Sequence, residues 1–274
     1  MSIFTSRSAM IATGAALGAA ACMAVLSVQP ASASSDAGTQ ANNQSATLSG
    51  SRDVGSPTWA PGGRRERWTP ENTVFAFIDH QTGLMNLVDD TPTVEYKNYV
   101  VGLAKLAKIH NVPSVITTSD ETGPNGPKMP EVVELLPDAP LISRPGQINA
   151  WSNDEFVRAI EATGRTKIVM SGITTDVCVA FAALSALDAG YEVYVVSDAS
   201  GSMSEQTQLT SLMRMQDAGA VIGTWFALSC EMLWDWRNPT GADSAQLFVE
   251  HFPAYAEIYH SHAAQQRARS MGNR

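Results

Sequence analysis

Three side chains that could carry out hydrolytic chemistry follow apolar runs of the sequence: Asp79, Arg144 and Cys178. Asp79 comes directly after the run 74–78, and an acid at the end of a buried strand is unfavourable unless it is paired or functional. Arg144 follows a short strand-like segment, and Cys178 lies six residues after Gly172, where another strand is predicted to end. The carboxyl ends of parallel strands meet at one edge of a sheet, where ligands bind. The spacing therefore predicts a proton acceptor, a cation and a thiol at one edge.

Each of the three residues also has a structural alternative that the sequence leaves open. A lone cysteine is most often a core residue, an acid after a strand can cap a helix, and an arginine is usually exposed. Cys178 is predicted to lie in the first turn of a helix, where backbone N–H groups and the helix dipole lower a thiol pKa and can hold an oxyanion. On this interpretation Cys178 is a nucleophile with a lowered pKa.

The elements that must position these residues alternate between strands and helices. Apolar runs predict the strands, and the longer segments between them predict helices, several of which end at Gly164, Gly190 or Gly219. Such alternation predicts an α/β fold with a parallel sheet and helices on both faces. The predicted strands are 74–78, 112–117, 167–170, 193–196 and 220–222, and the predicted helices are 93–110, 154–163, 176–189 and 204–218.

Long motifs surround all three candidate residues. They are Ile78-Asp79-His80-Gln81, Arg144-Pro145-Gly146-Gln147-Ile148-Asn149-Ala150-Trp151 and Gly172-Ile173-Thr174-Thr175-Asp176-Val177-Cys178-Val179. In these motifs the chain resembles the isochorismatase-like cysteine hydrolases, and within them the YcaC-like branch, over residues 73–259.

The resemblance implies an α/β three-layer sandwich around a central six-stranded parallel β-sheet. It also implies a catalytic triad of Asp79, Arg144 and Cys178, with arginine in place of the lysine that is common in the family. A cis peptide bond between Ile173 and Thr174 is implied as well. The backbone N–H groups of Thr174 and Cys178 would then form the oxyanion hole.

Residues of the same motifs are candidates for the substrate pocket. His80 follows Asp79 and either faces the pocket or has a structural role. The other candidates are Gln81, Asn149, Trp151 and Ile173.

The chemistry that fits this pattern is hydrolysis of a C–N, amide-like bond in a small molecule. Isochorismatase proper lacks the nucleophile, so Cys178 favours covalent catalysis with Asp79 as acid and base and Arg144 as electrostatic partner. Two alternatives stay open: a catalytically silent exported binding or scaffold protein, and isochorismatase-type hydrolysis without covalent catalysis. A third, redox pairing of Cys178 with Cys230, has no CxxC motif to support it, and Cys230 is predicted to be a buried helix residue.

A catalytic metal is not expected. Nicotinamidases of the same superfamily hold a metal with an Asp-x-His and a second histidine, and the corresponding loop here, Thr117-Thr118-Ser119-Asp120-Glu121, contains no histidine. We also expect no cofactor.

The composition excludes several classes of protein. With 274 residues, 44% of them hydrophobic, the chain is long enough for one or two domains with a large core. The 18 Lys and Arg against 27 Asp and Glu give a net charge of -9, which argues against a nucleic-acid partner. We therefore expect a small-molecule substrate, and the resemblance implies a homo-oligomer, in this branch an octamer of stacked rings.

The first 33 residues are typical of an export signal. Arg7 precedes an apolar stretch over 10–28, and Ala31-Ser32-Ala33 fits a cleavage site. A membrane anchor and a lipoprotein signal at Cys22 are the alternatives. Export predicts a periplasmic or secreted protein with no stable membrane span after cleavage.

The remaining chain divides by composition. Residues 34–70 are rich in Ser, Gly, Asn, Gln and Thr, which predicts a flexible linker. Near its end, Arg64, Arg65 and Arg67 are predicted to be a solvated lead-in to the first strand. The hydrolase domain is predicted over 71–260 and a C-terminal tail over 261–274.

Overall fold

The central sheet is parallel throughout. The computed structural model describes residues 58–59 and 65–272, so the predicted signal and most of the predicted linker lie outside the described residues. Six strands pair in the order β3-β2-β1-β4-β5-β6, which confirms the expected six-stranded parallel sheet. The strands are β1 Thr73–Ile78, β2 Ser114–Ser119, β3 Leu141–Arg144, β4 Lys167–Gly172, β5 Glu192–Val196 and β6 Val221–Gly223.

Helices connect the strands and continue beyond the last one. They are α1 Thr93–Ile109, α2 Pro130–Leu135, α3 Asp154–Glu161, α4 Ala180–Asp188, α5 Glu205–Asp217, α6 Trp225–Leu233, α7 Gly241–His251 and α8 Pro253–Gly272. A single π-helical turn, Thr175–Val179, leads directly into α4.

Helices cover both faces of the sheet because β1 is apolar on both sides. Alternate residues of a strand point to opposite faces. Phe75 and Phe77 pack in the core with α1, α6 and α7. Val74, Ala76 and Ile78 pack in the core with α3, α4 and α5. The result is the expected three-layer sandwich.

The strand order reverses beside β1, and this reversal locates the site. From β1 the chain builds β2 and β3 on one side and then crosses to β4 on the other. A crevice opens outside the carboxyl ends of the strands at such a switch point. Asp79 follows β1 there, and the turn that carries Cys178 follows β4 beside it.

The start of the folded domain differs from the prediction. Arg67 and Trp68 are only 3% and 4% exposed. The Arg67 guanidinium donates to the Glu231 carbonyl at 3.0 Å, and the Trp68 N–H donates to the Glu231 carboxylate at 2.8 Å. The expectation that Arg67 is solvated is therefore wrong, whereas Arg65 is exposed. Arg67 and Trp68 are buried because they pack against α6, which lies far along the chain.

At the other end, α8 runs across residue 260, where the sequence predicts the tail to begin. Most of its side chains are exposed. Among the described residues, no helix is both long enough and apolar enough to cross a membrane.

Gly172 ends β4 where it passes closest to β1. It pairs with Ile78, and a Cβ atom at position 172 would overlap the Ile78 carbonyl oxygen. Only glycine therefore lets β4 approach β1 directly before Asp79. At Gly146, in contrast, nothing lies within 4 Å of the position a Cβ would take.

We expect Gly172→Ala to lower the free energy of unfolding by about 1–3 kcal/mol, because the backbone must move to admit the methyl group. The control Gly146→Ala should change it by less than about 0.5 kcal/mol. Urea denaturation followed by circular dichroism measures both. Equal midpoints for the two variants would show that the contact between β1 and β4 is not tight.

Candidate active site

Asp79 is held in an unusual backbone conformation at the end of β1. Its φ is 54°, in the left-handed region that aspartate tolerates better than most residues. The Asp79 N–H donates to the Thr117 carbonyl at 2.9 Å, and the Gln81 N–H donates to the Asp79 carbonyl at 2.7 Å. These bonds turn the chain sharply, and the carboxylate is completely buried.

Arg144 neutralises this buried carboxylate. Its Nη2 donates to Asp79 Oδ1, and both side chains are 0% exposed. The other two guanidinium nitrogens also donate: Nε donates to Thr117 Oγ1 at 3.0 Å, and Nη1 donates to the carbonyls of Gln147 and, at 3.2 Å, Ile148. A buried ion pair is stable only when its remaining hydrogen-bonding groups are satisfied. Arg144 meets that condition.

Cys178 lies in the π-helical turn before α4 rather than in the first turn of an α-helix. The Val179 N–H donates to the Thr174 carbonyl at 3.2 Å, which closes the wide turn. The peptide bond between Ile173 and Thr174 is cis. A backbone hydrogen bond from Thr174 reaches the Cys178 thiol, which is partly exposed. The thiol interacts with both members of the buried ion pair.

The expectation that the pKa of Cys178 is lowered is wrong, because the surroundings of the thiol raise it. Burial raises the pKa of Cys178, and the negative charge of Asp79 beside it raises the pKa further. The Thr174 hydrogen bond and the Arg144 charge lower it, but by less. Burial also raises the pKa of Asp79, against the opposing effect of Arg144. Turn geometry alone could not predict this, because the opposing charge comes from β1.

These effects favour the neutral form of the Cys178 thiol. Asp79 Oδ1 is engaged by Arg144, whereas Oδ2 is buried with no other hydrogen-bond partner among the described residues. Oδ2 is therefore the oxygen available to the thiol of Cys178, with which Asp79 interacts.

His80 and Gln81 have structural contacts instead of facing an open pocket. The His80 ring bonds to Tyr96 Oη at 2.7 Å and Ser171 Oγ at 2.9 Å, and burial lowers its pKa to about 3. The Gln81 amide bonds to both backbone groups of Ser119 and to the Gly126 carbonyl. Gln81 thus fastens the loop after β2 beside Asp79.

The other three pocket candidates are also held by packing or capping. Asn149 accepts a hydrogen bond from the Trp151 N–H and donates to Ser185 on α4. The Trp151 ring packs edge-on against Phe156 and Tyr191. Ile173 is completely buried in the core. The structure therefore brings together Asp79, Arg144, Thr174 and Cys178, but gives these candidates contacts to other parts of the domain.

Sequence reasoning missed Ser171 as a support of the site, and it placed Thr117 at the end of a predicted strand without predicting its contact with Arg144. Thr117 bonds to Arg144, and Ser171 bonds to His80. Both are buried hydroxyl groups in strands of the sheet, and each such group needs a hydrogen-bond partner. This need for a hydrogen-bond partner is the sequence signal that could have identified both contacts, although it does not show which residue the partner is.

Two further predictions concern the burial of Cys230 and a catalytic metal. Cys230 is exposed, so the prediction that it is buried is wrong, and it does not pair with Cys178. Within the part of the chain that the structure describes, no three His, Cys, Asp or Glu side chains are grouped as metal ligands.

Comparison with known protein families and proteins identifies relatives of this chain. The family model of the isochorismatase domain matches residues 73–226, which include all members of the site. The chain belongs to the isochorismatase family. It is 48% identical over 196 residues to the probable hydrolase YcaC of Escherichia coli, covering 72% of this chain and 94% of that protein. It is 29% identical to the secreted isochorismatase effector Isc1 of Phytophthora sojae, covering 69% and 90% of the two chains.

Solved structures of YcaC agree with this assignment. The Escherichia coli protein, described as an octameric hydrolase of unknown specificity, is 45% identical with a TM-score of 0.72, covering 74% of this chain and 99% of that one. YcaC from Pseudomonas aeruginosa, solved with hexane-2,5-diol and covalent acrylamide, is 45% identical with a TM-score of 0.70, covering 72% and 97%. The chain is thus a YcaC-like hydrolase of the isochorismatase family, of unknown specificity.

The two charges beside Cys178 act in opposite directions on its titration. Asp79 raises the thiol pKa, so we expect Asp79→Asn to move the titration midpoint of Cys178 to lower pH. Arg144 lowers it, so Arg144→Gln should move the midpoint to higher pH. Shifts of about one pH unit or more are expected for charges this close.

Alkylation by iodoacetamide as a function of pH, read at each cysteine by peptide mass spectrometry, measures these midpoints. Cys230 in the same molecule is the internal reference, and circular dichroism checks the fold. Shifts of both variants in the same direction would contradict the proposed arrangement of charges.

Proposed function

We propose that this protein is a cysteine hydrolase that cleaves a C–N, amide-like bond of a small molecule. The observation that carries the proposal is the continuous set of interactions from Arg144 through Asp79 to Cys178, of which only Cys178 is partly exposed. A buried base beside a nucleophile, oriented by a third group, is the general arrangement of covalent catalysis.

The reaction begins with proton transfer. As the Cys178 sulfur attacks the carbonyl carbon, the thiol proton passes to Asp79 Oδ2. The carbonyl oxygen becomes an oxyanion, which the backbone N–H groups of Thr174 and Cys178 stabilise. The backbone of Thr174 forms a hydrogen bond with the Cys178 thiol, which supports this role for its N–H group.

The intermediate then collapses. Asp79 returns the proton to the leaving nitrogen, the C–N bond breaks, and an amine departs from a thioester on Cys178. Asp79 next takes a proton from water, and the resulting hydroxide attacks the thioester. Loss of the acid product regenerates the thiol with the same proton.

Arg144 has an electrostatic role in these steps. A guanidinium stays charged at every relevant pH, so it cannot move a proton. All three of its nitrogens are bonded to protein atoms, which leaves it to hold Asp79 ionised and oriented. The base is therefore available before substrate binds.

The YcaC structure with covalent acrylamide supports a reactive nucleophile in this family. Acrylamide is a small amide that thiols attack. The partly exposed Cys178 is the residue of this chain to which we assign that reactivity.

The experiment compares Cys178→Ala with Cys230→Ser on a panel of small amides and nitriles, with ammonia release as the readout. We expect the Cys178 variant to lose at least about 10³-fold in rate and the Cys230 variant to retain wild-type activity. Full turnover by Cys178→Ala would contradict covalent catalysis. Absence of ammonia release from the whole panel, together with a Cys178 no more reactive than Cys230, would favour a silent binding protein.

We also propose that residues 1–33 are an export signal and that the mature protein is periplasmic or secreted, assembled as a homo-oligomer. The octameric YcaC of Escherichia coli makes an octamer the expected state. Trp234 and Trp236, 40% and 50% exposed, would suit a subunit contact. N-terminal sequencing of the exported protein should begin at Ser34, and light scattering should give eight chains. An uncleaved N-terminus would refute the export signal, and a monomer would refute the homo-oligomer.

A further inference from the structure

We propose that Thr117 is a positioning residue whose hydroxyl fixes the Arg144 guanidinium against Asp79. This inference rests on the proposed function and adds to it the element that aligns the base. Thr117 lies on β2, between β1, which Asp79 follows, and β3, which ends in Arg144.

Thr117 contacts both members of the ion pair. Its carbonyl accepts from the Asp79 N–H at 2.9 Å, which holds the turn after β1. Its hydroxyl oxygen accepts from Arg144 Nε at 3.0 Å. Thr117 is completely buried. Its backbone therefore positions Asp79, and its side chain positions Arg144.

The hydroxyl is itself oriented, so it offers a lone pair rather than a hydrogen to Arg144. It donates its hydrogen to the Ile142 carbonyl at 2.9 Å. With the hydrogen committed to β3, the oxygen can only accept from Nε. A fixed acceptor at Nε determines the plane of the guanidinium, and that plane directs Nη2 at Asp79 Oδ1.

Removal of the hydroxyl would weaken this alignment without changing any charge. Thr117→Val has nearly the same shape but leaves Nε buried without an acceptor. Arg144 would then support Asp79 less well. The pKa of Asp79 and of the Cys178 thiol should both rise, since Arg144 lowers both.

The test is the pH dependence of Cys178 alkylation by iodoacetamide, which needs no knowledge of the substrate. We expect Thr117→Val to move the midpoint to higher pH and to slow alkylation at pH 7 by about tenfold. Thr117→Ser, which keeps the hydroxyl, should restore the wild-type midpoint. A purely structural role would change stability without moving the midpoint.

The matched control is Thr73→Val. Thr73 is equally buried at the opposite end of β1, and its hydroxyl donates to Asn72 at 2.9 Å. It should lose a comparable amount of thermal stability and keep the wild-type midpoint. Thr117→Ala removes the same hydroxyl and is the second variant if the valine variant does not fold.

The outcomes separate this inference from the proposed function. A wild-type midpoint in Thr117→Val or Thr117→Ala, or a shifted midpoint in Thr117→Ser, would overturn the positioning role. If in addition Asp79→Asn leaves the midpoint unchanged, the proposed function fails with it. If Asp79→Asn shifts the midpoint and the Thr117 variants do not, only the positioning role fails.

Discussion

The buried ion pair between Asp79 and Arg144 is the interaction on which the rest of the site depends. A carboxylate that is wholly removed from water is stable in its ionised form only beside a cation that is itself fully hydrogen-bonded. Loss of one partner from such a pair typically costs about 3–5 kcal/mol. The bonds from Arg144 to Thr117 and to the 147–148 carbonyls explain why a cation can be retained at 0% exposure.

The pair also determines how the thiol is activated. Many reactive cysteines are activated by a lowered pKa, but here burial and the Asp79 charge raise it. In the mechanism that we propose, Cys178 is instead activated by a neighbouring base, so that the proton leaves as the sulfur attacks. A neutral thiol is a poorer target for oxidation than a thiolate. The same proton is then in place to protonate the leaving nitrogen.

The sequence predicts the parts of the site that depend on local pattern. Strands buried on both faces are continuous apolar runs, so the strand ends and the residues after them can be located, as for Asp79 after β1. Features that depend on distant contacts could not be predicted in this way. Arg67 is buried because it bonds to Glu231 of α6, and His80 lies in the core because its ring nitrogens are hydrogen-bonded there to Tyr96 and Ser171. The pKa of Cys178 likewise depends on a charge that another strand supplies.

The most direct test of this proton arrangement is the infrared S–H stretching band at pH 7, assigned by the difference between wild type and Cys178→Ala. We expect a band from Cys178, shifted to lower frequency by its hydrogen bond to Asp79, and a return toward the ordinary thiol frequency or loss of the band in Asp79→Asn. Absence of any Cys178 S–H band in the wild-type protein at pH 7 would mean a resting thiolate and would contradict activation by a neighbouring base.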